Sequence, residues 1–454
     1  MVEGKESPAR ESPARERESP AVTTEMSMDK GSYLGERFMG MKHGKGKYTA
    51  DEGRYVYEGE YKEDKKDGSG VEMNNGDEYR GEFKANKKFG DGAMRYANGD
   101  LYVGKWSENK RNGDGILTFA NNSVYIGEFY NDLEDGNGVL TFENGDVYEG
   151  NFQQGTFHGR GVLRYVDGTS YSGNWKGGCK CGIGSLEYAD GTVYYEGEFK
   201  DDKQHGIGVY RYENSDVYDG EFQVGRKHGK GIYRYKNGDV YEGQWVDDLR
   251  HGKGKYTKRD GDCYNGEFRN GMKHGDGVYT TYSNDEYTGM FALDMKEGPM
   301  KVTYANGDYF EGTYNADKKC GLGQFEYING NIYTGCYRDD EMDGEGIMYY
   351  HNKDVYTGNY KNSMRHGHGK LIFDAGESKY VGQWVCDQRH GEGTQILATG
   401  EKYSGSWQNN LKHGEGVKTF ATGAVYTGTW DRGKRVGTGS YISSNYEKWD
   451  NIAV

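Results

Sequence analysis

Residues 218–240 read YDGEFQVGRKHGKGIYRYKNGDV, and the same pattern recurs along most of the chain. Take Tyr218 as position zero. An aromatic at zero and Gly at two then recur eighteen times, with first aromatics from Tyr33 to Tyr426, and an aromatic follows at four in seventeen of them, the first repeat carrying it one residue late at Phe38. Most of these lie at the spacing of Tyr218 from Tyr241, and none departs from it by more than one position. So strict a period means a quasi-one-dimensional array whose units touch mainly their neighbours. The array occupies residues 31–440, which leaves almost no chain for a catalytic domain.

Within the pattern, positions zero, two and four share one face of a strand, because side chains alternate with period two. Glycine at position two opens a slot in which a neighbouring repeat's ring is expected to lie flat. Gly-x-Gly follows at positions eleven and thirteen (Gly229-Lys230-Gly231), then a second strand, Ile232 to Tyr235, then Asn237-Gly238-Asp239. Asn-Gly before a strand signals a hairpin whose two turn residues both take positive φ. The expected fold is all-β: an elongated single-layer antiparallel β-meander of 18 two-stranded repeats, twisted into a ribbon. At about 4.8 Å per strand it would be ~170 Å long, with unpaired strands at both ends open to partners.

Composition fits a thin structure and not a conventional globule. Only 33% of residues are hydrophobic, mean hydropathy is −1.03 and 75 of 454 residues are Gly. Such values suggest disorder, but 42 Tyr and 16 Phe placed periodically bury large areas per residue. A net charge of −14 argues against nucleic acid as a partner, which requires a basic footprint. A membrane helix needs a run of about 18 apolar residues, and the sequence has none. No secretory leader is read at the N-terminus, and Val2 follows the initiator Met where myristoylation requires Gly. The six Cys are scattered, which suits a reducing cytoplasm.

Segments outside the array differ. Residues 1–30 are expected to be a disordered tail, and Ser7, Ser12 and Ser19, each followed by Pro, are candidate phosphorylation sites. Residues 441–454, with Tyr446 and Trp449, are expected to cap the last strand, and a homodimer through the last repeats is expected.

Tyr-x-Gly-x-aromatic, Gly-x-Gly and Asn-Gly-Asp in one fixed register, as in Tyr148-Glu-Gly-Asn-Phe152 followed by His158-Gly-Arg-Gly161, resemble the MORN (membrane occupation and recognition nexus) repeat over about nine-tenths of the chain. The resemblance implies an elongated antiparallel β structure and roles in scaffolding, membrane apposition, cilia and the protist cytoskeleton. Some relatives carry a lipid kinase or lysine methyltransferase domain beside the repeats, and neither is present in this sequence.

No catalytic set emerges. Nine of eleven His occupy position ten (among them His228, His251 and His274), which register explains better than catalysis. Repeats about 9.5 Å apart by strand spacing cannot bring such a column around one zinc ion, whose ligands lie about 2 Å away. Cys181 and Cys320 fill the same position, and Cys179-Lys180-Cys181 is a lone pair without partners. The Gly-x-Gly pairs lead into strands, so no helix N-terminus is present to hold a phosphate. No enzyme activity, metal or cofactor is therefore expected.

Position nine is Lys or Arg in fourteen repeats. Arg250, Lys273, Lys296, Lys319, Arg365, Arg389, Lys412 and Arg435 form its later part, expected as a basic ladder along one edge that binds an anionic partner. Glu at position three opposes it in seven repeats, none after Glu267, and most of the negative charge precedes residue 287. The simpler reading is that the ladder pairs with turn Asp residues. Two functions follow: a scaffold or tether for cytoskeletal, ciliary or membrane-associated proteins, whose repeated weak contacts add through multivalency; or direct binding of anionic phospholipid.

Overall fold

The structure is a computed structural model and describes residues 31–453. It falls into two units that divide between Tyr233 and Arg234. In each unit, antiparallel strands follow one another in chain order, as in the pairing of Val147–Gln153 with Thr156–Arg164 and of that strand with Ser170–Lys176 in the first. Val240–Val246, Leu249–Thr257 and Cys263–Arg269 show the same order in the second. The all-β antiparallel meander read from the sequence is the fold observed.

Two kinds of turn alternate. After the first strand of a repeat, positions six and seven both take positive φ, as in Asp247 (46°) and Asp248 (68°). This is a two-residue turn of the kind whose twist matches the flanking strands. Asn237-Gly238-Asp239 forms the longer turn. Gly238 N–H donates to Tyr235 O at 2.9 Å, Tyr235 N–H donates to Asp239 O at 2.9 Å, and Gly238 alone of the Asn-Gly pair has positive φ. The expectation of positive φ at both residues is thus corrected: Asn237 stays in the ordinary region and Gly238 carries the bulge. The expected geometry occurs at Asn75 (49°) and Gly76 (93°), where the interval from Tyr57 to Tyr79 is one position shorter than usual. The intervals from Tyr33 to Tyr57, Tyr171 to Tyr195 and Tyr356 to Tyr380 are one position longer; short 3₁₀ turns, Asp51–Gly53 and Asp374–Gly376, take up the difference in the first and last, and a register shift between Leu186 and Glu187 does so in the other.

The core is a column of rings on one face. Tyr241 is fully buried, and Gly243 and Gly254 face each other across its hairpin. A Cβ on Gly243 would lie 2.5 Å from both Gly254 Cα and the Tyr241 hydroxyl oxygen. The ring over each glycine pair is therefore the repeat's own position-zero aromatic, a tyrosine except for Phe310, and the position-zero and position-four rings meet edge-on and not flat. Tyr241 meets Trp245 and Phe268 edge-on, both at 5.1 Å between centroids. The neighbour's aromatic was expected in the slot, but the ring lies along its own strand; the Tyr241 hydroxyl fastens it there by donating to the Gln244 carbonyl at 2.8 Å, and Phe310, with no hydroxyl, takes the same place over Gly312 and Gly323. Each buried ring contributes about 2–3 kcal/mol by area and each edge contact about 0.5–1.5 kcal/mol. At position four the indole N–H of Trp106, Trp175, Trp384 and Trp407 donates to the backbone of the preceding repeat, as Trp407 does to Gly393 O at 3.1 Å, whereas that of Trp430 is buried without a partner.

Candidate functional site

Position nine lies on the aromatic face. Lys273 Nζ sits over Tyr264 (5.6 Å), Tyr279 (4.9 Å) and Phe291 (5.8 Å). Arg250 lies over Tyr241 and Phe268, Lys296 over Tyr287 and Tyr314, Lys319 over Phe310, Arg365 over Trp384 at 4.4 Å, Arg389 over Trp407 at 4.5 Å, Lys412 over Trp430 and Arg435 over Tyr426. The ladder expected along an edge is thus a column laid across rings, where cation and ring quadrupole attract. Arg435 is exposed, whereas Lys273 and Lys319 are half-buried. Burial pulls the Lys88, Lys273, Lys319 and Lys412 ammonium groups below their usual range.

The turn aspartates clasp successive repeats, at both edges of the strands. At position seven, Asp294 Oδ1 accepts the Lys273 N–H at 2.8 Å and Asp317 Oδ1 accepts the Lys296 N–H at 2.9 Å. The Arg365 guanidinium also reaches Asp387 at 2.8 Å. The pairing with turn Asp read as the simpler alternative therefore exists, mostly through the backbone N–H. At the opposite turns, Asp262 accepts from Lys258 Nζ (2.8 Å), the Tyr279 hydroxyl (2.6 Å) and the Tyr282 N–H (3.0 Å). These bonds, that of Lys258 foremost, hold its carboxyl down at about 2.

Position three lies on the face opposite the rings, so its Glu side chains do not oppose the ladder as expected. They cap a bulge instead. Gly229 (φ 58°) begins an irregularity in the second strand, and Glu221 Oε1 accepts the Lys230 N–H there at 2.9 Å. Gln244 does the same for Lys253 at 3.0 Å and Asn151 for Arg160 at 3.3 Å. The column of His faces this position across the hairpin, as His274 faces Glu267. Among the described residues no three His, Cys, Asp or Glu side chains converge as a metal site. His413 Nδ1 lies 3.4 Å from Asp431 Oδ1. All six Cys are free thiols. Ser7, Ser12 and Ser19 lie outside the described residues.

One repeat breaks the rules together. In residues 287–309, Pro299-Met300 replaces x-Gly and Met290 stands at position three. Met300 is buried opposite Gly289 and fills the space that a tyrosine ring takes elsewhere. Tyr287 is displaced to partial exposure, and among the described residues its hydroxyl makes no bond to the position-three carbonyl. Pro299 has no N–H at the bulge, so no acceptor is required, and Met290 supplies none. Met290, Leu293 and Met295 are all exposed here.

The model of the MORN repeat matches seventeen segments from residues 33–53 to 426–448, and it passes over 287–309. The chain belongs to the MORN-repeat family. That family comprises modules that bind proteins or membranes. No curated protein matches the chain. Among solved structures, the TCP domain of Drosophila melanogaster SAS-4, in complex with a proline-rich motif of Ana2, is 11% identical over 39% of this chain and 90% of that one, at a TM-score of 0.24. The TCP10 domain of Danio rerio CPAP is 13% identical over 54% and 93%, at a TM-score of 0.15. A streptogramin B lyase is 9% identical over 73% and 95%, at 0.12. No helix among the described residues is long and apolar enough to cross a membrane.

Proposed function

We propose that this MORN-repeat protein is a non-enzymatic scaffold that holds several protein partners at a cytoplasmic cytoskeletal, ciliary or membrane-associated structure. One observation carries the reading. The aromatic face is filled by the repeat's own rings, glycines and cations, so what varies from repeat to repeat is the opposite face and the turn edges. Many neighbouring sites of moderate strength then act together. The strand Lys448–Ala453 pairs with Lys434–Ile442 and leaves its other side free among the described residues, which is where a second copy would add.

Capture of anionic phospholipid by the position-nine column remains the alternative. It requires cations to leave their rings, and only Arg435 of the eight is already exposed. Proximity labelling of the full chain in its own cell, combined with crosslinking mass spectrometry, is expected to recover a reproducible set of proteins crosslinked at several separate repeats. Crosslinks confined to one repeat would overturn the scaffold reading. Flotation on phosphoinositide vesicles that weakens at high salt and is lost in the Arg365→Glu/Arg389→Glu/Lys412→Glu/Arg435→Glu variant would replace it by the lipid reading.

A further inference from the structure

Along the two-residue turns of the second unit, three successive second strands begin with an apolar side chain: Leu249, Met272 and Met295. Leu293 occupies the turn between the last two. Leu293 is 62% exposed and Leu249 47%, with Met272 and Met295 each above a third. The turn of each repeat lies beside the first residue of the preceding second strand, since a Cβ on Gly271 would meet Leu249 Cδ2 at 4.0 Å. The same register sets Asp294 beside Met272, and the first residue of such a turn also reaches the start of the preceding second strand, as Asp339 reaches Lys318 at 3.1 Å, so Leu293 adjoins Met272 and the four side chains form one ridge running across the strands.

We infer that this ridge docks a basic amphipathic helix of a partner protein. Length supports it. The ridge spans two repeat intervals, about 19 Å by strand spacing, and apolar residues at i, i+4, i+7 and i+11 of a helix span about 17 Å. Chemistry supports it as well, because unbranched thioethers adapt to varied apolar surfaces. Charge selects the sign of the helix. Asp294 and Asp317 stand at the turns along the ridge and use one oxygen each for the backbone clasp. The ammonium groups of Lys273 and Lys296 lie on the rings of the other face, and Lys296 reaches only the clasping oxygen of Asp317, at 3.7 Å. Arg269 lies opposite Met272, but Asp247, Asp248, Asp294 and Asp317 outnumber it at these turns, so the edge is apolar with a net acidic border, the complement of a Lys-bordered apolar helix face.

This inference rests on the scaffold reading, yet it fails separately, because the assay below reads the ridge alone. The probe is a fluorescein-labelled peptide made of Leu and Lys, about four helical turns long, with Leu at helical spacing. A scrambled peptide of the same composition is the control. By anisotropy, the full chain is expected to bind the amphipathic peptide at least about tenfold more tightly than the scrambled one, a difference of about 1.4 kcal/mol. The Leu249→Gln/Met272→Gln/Leu293→Gln/Met295→Gln variant, unchanged in charge, is expected to lose about the same factor, and Leu293→Gln alone about threefold. Val103→Thr/Ile116→Thr/Ile126→Thr, which alters an apolar patch in the first unit, should bind as the parent does. Equal binding of the two peptides, parental affinity in both Gln variants, or loss confined to the Thr variant would each overturn the ridge.

Discussion

The repeat at 241–263 and the repeat at 287–309 have the same strands but not the same core. In the first, Tyr241 lies over paired glycines, donates its hydroxyl to Gln244 O, and Gln244 caps the Lys253 N–H. In the second, Met300 fills the slot, Tyr287 is displaced, Pro299 has no N–H and Met290 has no acceptor. The ladder nevertheless continues, with Tyr287 opposite Val302 and Thr288 opposite Lys301. The difference separates two jobs that coincide elsewhere. Backbone pairing and turn residues propagate the meander, while the ring over glycine stabilises it. A repeat can give up the second and keep the first, and the one that does so exposes Met290, Leu293 and Met295.

Alkali is expected to break the contrast most strongly. Burial raises the phenol of Tyr241 and of its counterparts Tyr57, Tyr148, Tyr264 and Tyr333 far above the ordinary 10, and that of Tyr380 to about 12. A group whose folded value is raised contributes stability that is complete below the unfolded value and declines as pH rises through the window between the two. Each such tyrosine therefore costs about 1.4 kcal/mol per pH unit above ten. With so many acting together, unfolding is expected to be abrupt a little above pH 10. Absorbance of phenolate at 295 nm should rise in the same transition as the loss of the far-ultraviolet β signal. Gradual ionisation of the core tyrosines within a folded protein would show that the aromatic face is open to water.

Substitution at the glycine slot sharpens the comparison at a smaller scale. Gly243→Met places in the regular repeat what Met300 is in the irregular one. With 2.5 Å between a Cβ and the Gly254 Cα, the strands must part, and overpacking of this kind costs about 1–3 kcal/mol. Met300→Gly is expected to cost less than the about 2–5 kcal/mol usual for emptying a buried Met site, because Tyr287 is positioned to swing over Gly289. Urea denaturation followed by circular dichroism measures both. If Gly243→Met melts like the parent, the ring-over-glycine account is wrong; if Met300→Gly shows the full loss, Tyr287 cannot re-enter.

Much of this was legible in the sequence, because a strict register turns single residues into columns. Strand pairs, the glycine column and the single ring face follow from period-two alternation at Tyr218, Gly220 and Phe222. What sequence spacing could not decide was direction. Asn237-Gly238 and Asp247-Asp248 both lie between strands, and only the hydrogen bonds show which is the two-residue turn. Lys273 is a strand residue whose face inverts across the bulge at Gly275, so its charge, expected at an edge, lies on Tyr279 instead. Asp294 and Asp317 read as ordinary turn residues, although their regular spacing was the available sign of a clasp. The paired changes at Met290 and Pro299 were visible only as a break in Gly-x-Gly, since their connection runs through one backbone N–H.

That connection gives the smallest and most specific effect. If position three exists to accept the bulge N–H, then Pro299→Lys restores a donor that Met290 cannot satisfy, and Met290→Glu alone restores an acceptor with nothing to bind. Each single change is then expected to be neutral or slightly destabilising, because both groups stay near solvent. The double variant recreates the arrangement of Glu221 with the Lys230 N–H, a bond of 2.9 Å. A hydrogen bond to a charged acceptor is worth about 1.5–3 kcal/mol when shielded, and about 0.5–1.5 kcal/mol is the general range for a net contribution. At this exposed face the lower part applies, so the double-mutant cycle should yield a favourable coupling of about 0.5–1 kcal/mol. The same cycle on Glu221→Ala and Lys230→Pro should give a coupling of equal size, since removing either partner already breaks the bond. Equilibrium urea curves on every protein in the two cycles provide the numbers. Additive effects at both sites would mean that Met290 and Pro299 co-occur by chance, and that the irregular repeat is shaped by the burial of Met300 alone.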